Sequence, residues 1–156
     1  LCYTGALMAN FDSIGSKDHP SKYYDENNPM YPCNILDERY SRQCYTYGVL
    51  VLHQYEVENA ISICDRVPEK HRLGCFATFG RDRIMITSDP AVIKDQCSKI
   101  KSREMQKECF KGAAHNLVIR FGSKSGLATQ LCSLLEGDIR EACFSKVRSA
   151  LENVEN

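Results

Sequence analysis

Nine cysteines are the residues of this 156-residue chain most able to do chemistry, and their spacing separates the uses a thiol can have. Zinc sites take close pairs such as C-x2-C with histidines nearby, and covalent haem takes C-x-x-C-H. Dithiol redox catalysis also depends on a close pair with a lowered pKa. The chain contains no C-x-x-C at all. It has instead Cys33 and Cys44, Cys64 and Cys75, Cys97 and Cys109, and Cys132 and Cys143, pairs separated by 11, 11, 12 and 11 positions. Evenly repeated pairs at that distance suit structural staples. In a reducing cytosol so many thiols would have no evident use, so the expected location is an oxidising one: secreted, periplasmic or at the cell surface.

Other chemistry finds little footing. His19, His53, His71 and His115 are scattered, with no two at the three- or four-residue step that puts ligands on one helical face, so no metal site and no cofactor are expected. His71 reads as a half-buried core histidine. Asp25-Glu26-Asn27-Asn28, with Asp12 and Asp18 upstream, offers oxygen ligands but lacks the calcium-loop pattern and reads as solvated surface. No phosphate-binding loop, nucleophile elbow, zinc-protease or dinucleotide motif occurs. Phe79-Gly80-Arg81 and Phe121-Gly122-Ser123 are too short for phosphate binding; they fit helix ends or a tight helix contact. No catalytic residue is assigned, and the chain reads as a non-enzyme.

The staples require elements to hold them, and the chain around the cysteines supplies these by repetition. First cysteines follow one another at intervals of 31, 33 and 35 residues, the length of a helix-turn-helix unit. Three residues after each comes Leu36, Val67, Ile100 or Leu135. Four before each second cysteine comes Tyr40, His71, Met105 or Ile139, and directly after it Tyr45, Phe76, Phe110 or Phe144, with Tyr3 after Cys2. These steps mark one buried stripe on the second helix of every unit. Between the cysteines sit Val67-Pro68, Lys101-Ser102 and Leu135-Glu136-Gly137-Asp138, the start, cap and stop residues of a tight hairpin. Pairing within hairpins (33–44, 64–75, 97–109, 132–143) competes with pairing between them (2–33, 44–64, 75–97, 109–132). The first is favoured because its loops are nearly constant in length. Closing a loop of about 12 residues is worth roughly 3 kcal/mol in the chain-entropy description.

Stacked two-helix units predict an all-α fold, an α-solenoid of disulfide-clamped helix-turn-helix repeats. On these residues the chain from Cys33 to about Val154 resembles the Sel1-like and other tetratricopeptide-type families. The likeness is closest to secreted cysteine-rich members in which a disulfide ties the two helices of each repeat. Residues 1–156 are read as one helical-repeat domain: 1–32 a partial first unit with an irregular Tyr-, Pro- and Asn-rich loop, 33–156 the regular repeats. Cys2 reads as an unpaired cysteine left from a unit whose first half is missing, and a start at Leu1 without Met or leader suggests a processed or trimmed form.

Lys+Arg and Asp+Glu are both 20, so bulk charge gives no reason to expect nucleic acid. No run of about 18 apolar residues predicts membrane insertion. All eight tyrosines lie in the first 55 residues, and Tyr23, Tyr24 and Tyr31 are candidates for a wet interface. A second candidate strip, Arg81, Asp82, His115, Asn116 and Arg120, falls at equivalent positions on second helices. The expected role is protein binding or self-assembly into a larger structure. Binding of a small ligand or metal is the alternative, and an enzyme ranks third.

Overall fold

The computed structural model describes residues 5, 6, 9, 25, 28, 30–48 and 56–154. Among these all regular structure is helical: α1 (Glu38–Gly48), α2 (Val57–Arg66), α3 (Glu69–Arg83), α4 (Pro90–Ser98), α5 (Arg103–Phe121), a 3-10 turn (Ser123–Ser125), α6 (Leu127–Ser133) and α7 (Gly137–Val154). Cys2, Tyr23 and Tyr24 lie outside the described residues. The chain divides into two compact units, residues 1–75 and 76–156, with the division inside α3.

Four disulfides are present, Cys33–Cys44, Cys64–Cys75, Cys97–Cys109 and Cys132–Cys143, with Cα separations of 5.3, 5.5, 5.9 and 5.5 Å. These are the within-hairpin pairs. Three of them tie helix to helix: α2 to α3, α4 to α5, and α6 to α7. The first does not. Cys33 sits in consecutive turns over residues 30–35, held by Asn34 N–H to the Met30 carbonyl (3.0 Å) and Ile35 N–H to the Pro32 carbonyl (3.1 Å). The spacing predicts two helices here as elsewhere, but Pro32 has no N–H to donate and breaks the helical ladder. The first pair therefore joins a turn to α1.

In the first unit, α1 and the start of α3 meet through side chains 30 and 32 residues apart. Ser41 Oγ lies 3.2 Å from His71 Nε2, and Lys70 Nζ pairs with Glu38. The His71 ring stacks on buried Tyr45, centroids 5.2 Å apart. Both residues belong to the apolar columns of the repeat, which accounts for their facing each other.

In the second unit the columns form the core: Phe76, Ile100, Phe110, Leu135 and Ile139 are buried, and the disulfide sulfurs lie among them. Local chemistry sets the helix ends. Asp89 caps α4 by accepting the Ala91 N–H at 2.8 Å, and Pro90 follows at the first helical position. Ser102 occupies the N-cap of α5 without a side-chain bond. Gln106 closes the α4–α5 turn instead, its amide donating to the carbonyls of Ser98 (3.1 Å) and Ile100 (2.5 Å). Gly122 ends α5 with φ 72° and Gly126 precedes α6 with φ 69°, values that favour glycine.

Second helices in this unit also meet at a fixed interval. Asn116 Nδ2 donates to the Arg81 carbonyl at 2.8 Å, 35 residues away. Arg103 reaches Asp138 across the same interval, Nη2 to Oδ1 at 2.6 Å. Extensive packing of α5 against α7 accompanies the latter pair.

Candidate functional site

The polar strip expected on the second helices is assembled, but its residues are largely engaged with one another. Arg81 Nε donates to Asp82 Oδ1 at 2.9 Å, and Asp82 is only 4% exposed. Asn116 is held by the Arg81 carbonyl. Arg120 extends from the last turn of α5 onto the Met85 sulfur. His115, half-buried, titrates below an ordinary histidine, first because burial disfavours the imidazolium and then because Lys146 and Arg81 repel it. Arg83, next in sequence to the strip, is 3% exposed and lies over the Phe79 ring at 5.1 Å. Charged residues are rarely this buried without paired or aromatic surroundings. The strip thus helps to join α3 to α5. Tyr31 is half-buried within the turns beside Cys33.

The surface of the second unit opens elsewhere. Asp89, Pro90 and Ala91 at the head of α4 face Thr129, Gln130, Ser133 and Leu134 along α6, enclosing a groove of about 430 Å³. Both helices are first helices of their hairpins, and α4 packs directly against α6. One oxygen of the exposed Asp89 carboxylate caps its own helix, and beside it the groove presents proline, alanine and leucine carbon with threonine, serine and glutamine. Leu134 is 40% exposed. Met85 and Ile86 after α3, and Ile119 and Phe121 at the end of α5, are further exposed apolar residues of this unit.

No family model, curated relative or solved structure matches the chain. Its own geometry therefore has to carry any assignment. Among the described residues no group of three or more His, Cys, Asp or Glu could hold a metal ion, and no helix is long and apolar enough to cross a membrane. Sequence reasoning passed over the α4–α6 groove because its residues belong to no motif and come from helices about 40 positions apart. The local signal that could have placed a helix head there is Asp89-Pro90, a capping residue followed by proline.

Proposed function

We propose that this chain is a non-catalytic helical-repeat protein of an oxidising, extracytoplasmic compartment, an α-solenoid that binds another protein or packs as a subunit of a larger assembly. The α4–α6 groove carries the reading. It is concave and lined mostly by apolar carbon and neutral polar groups, with the capping carboxylate of Asp89 its one charge, a composition that receives a protein segment. The recurrence of second-helix contacts at 35 residues in the second unit supports the solenoid, since consecutive units of a solenoid contact chiefly their neighbours. Four disulfides fit an oxidising compartment.

A photo-crosslinking amino acid placed at Gln130, compared with one at exposed Ser149, tests this reading in the cells that produce the protein. Gln130 is expected to give one discrete adduct that Leu134→Arg abolishes, while Ser149 gives none. The adduct's mass separates a second copy of the chain from a different protein. Equal labelling from both positions, or adducts indifferent to Leu134→Arg, would overturn it.

A further inference from the structure

A separate cleft lies in the first unit, and the protein-binding reading does not depend on it. Arg42 and Thr46 on α1 face Lys70, His71, Leu73 and Gly74 on α3 around a cavity of about 280 Å³. Its wall contains two cations and an imidazole and no carboxylate. Glu38, which pairs with Lys70, stands outside the lining. Arg42 makes no ion pair among the described residues. Gly74 keeps the space open: a Cβ there would meet nothing nearer than Thr46 Oγ1 at 3.9 Å.

The hydrogen-bond inventory orients the imidazole. The Ser41 hydroxyl donates to the Glu38 carbonyl at 2.9 Å, so its oxygen is left to accept from His71 Nε2–H at 3.2 Å. Nδ1 is then the nitrogen that gains a proton at low pH. Burial is the first reason that His71 titrates low; Lys70 and Arg42 add repulsion, and Glu38 opposes them. Arg42 and Lys70 thus face the imidazole from the cleft wall, and an anion entering between them would offset their repulsion and favour the imidazolium.

We propose that this cleft binds a tetrahedral oxyanion, a phosphate or sulfate group, free or carried on a sugar. The Arg42 fork and the Lys70 ammonium, joined by the His71 imidazolium once Nδ1 takes up its proton, offer donors from two helices that call for at least three acceptor oxygens, which such a group has and a carboxylate lacks. Arginine's planar fork suits it geometrically. The volume falls just under the roughly 300–1,000 Å³ of pockets that enclose whole drug-sized ligands, so a group with a small substituent fits better than a large molecule.

Titration calorimetry and imidazole NMR of the intact, oxidised protein test this with inorganic phosphate, inorganic sulfate, glucose 6-phosphate and glucose 6-sulfate. Chloride at matched ionic strength serves as control. Dissociation constants on the order of millimolar are expected, weakened about tenfold by Arg42→Ala and by Gly74→Leu, which fills the space. Bound oxyanion should raise the His71 midpoint against the groups that face it, Glu38, Arg42, Lys70 and the Tyr45 phenol. A sugar ester binding several times tighter than the free ion assigns the ester as ligand; equal affinities assign the free ion. An effect that chloride reproduces, or that both variants leave unchanged while they melt like the parent protein, overturns the proposal.

Discussion

Gly80 lies so close to Cys109 that a Cβ on the glycine would stand 1.9 Å from the cysteine's carbonyl oxygen. The contact is reciprocated, since a Cβ on Gly112 would stand 1.9 Å from the carbonyl oxygen of Ala77. Helices α3 and α5 therefore touch backbone to backbone at two points three residues apart on each helix. Such approaches bring Cα–H groups onto carbonyl oxygens and are possible only where side chains are absent. Cys109 is also tied to Cys97, so the disulfide that closes one hairpin fixes the backbone against which the preceding helix packs.

Gly80→Ala and Gly112→Ala should each destabilise the protein by about 1–3 kcal/mol, because overpacking forces the helices apart and no flexible side chain can yield. Gly74→Ala should do the reverse and add about 0.5–1 kcal/mol, the ordinary gain on removing glycine from a helix with space beside it. Urea unfolding with disulfides intact would measure all three. A neutral Gly80→Ala would show that the close contact is not maintained in solution.

Replacing Cys97 and Cys109 together by serine opens a loop of about 12 residues and should cost roughly 3 kcal/mol. Peptide mapping of the unreduced protein should return the four hairpin links. Recovery of Cys44–Cys64 or Cys75–Cys97 would require a different placement of the helices. With all four bonds reduced, the summed loss rivals the whole stability of an ordinary domain, and cooperative melting should disappear.

The staples and the buried columns were legible in the sequence because both are local: each disulfide spans 11 or 12 positions, and each column follows from helical periodicity around a cysteine. The Phe79-Gly80-Arg81 segment was legible as far as a tight contact, but its partner was not, since Cys109 lies on another helix. Asp82 was expected on an open polar strip and is buried, because burial of a charge is decided by what packs over it, not by its neighbours in the chain. The turns at Cys33 replaced an expected helix because Pro32 overrides a spacing shared with the other pairs. Arg42 and Lys70 gave no joint signal, coming together only when α1 meets α3.

Asp138 links the start of α7 to α5 through Arg103 at 2.6 Å and Lys107 at 2.5 Å. Hydrogen bonds from Lys107 and then Arg103 lower its pKa from 3.8 to about 2. The unfolded chain therefore takes up this proton first on acidification. The contribution is complete above about pH 4 and is lost as pH falls through about 2. Thermal melts of the parent protein and Asp138→Asn should differ at pH 5 and converge towards pH 2, with a smaller difference in high salt because the group is exposed. Parallel curves across that range would show that the bridge adds nothing.

His71 and His115 should both titrate below the ordinary histidine value of 6.5, with burial the first cause in each and different cations the second. Both folded pKa values are depressed, so their stabilising effect is present above about pH 6.5 and is lost as pH falls from there towards the folded midpoints. Ring-proton NMR would resolve the two curves. Lys146→Met removes the cation next in importance for His115 and should raise that midpoint, leaving His71 in the first unit unmoved. The rise should be partial, because burial persists and continues to penalise the imidazolium. A His115 midpoint that returned fully to 6.5 would assign its depression to charge and not to desolvation.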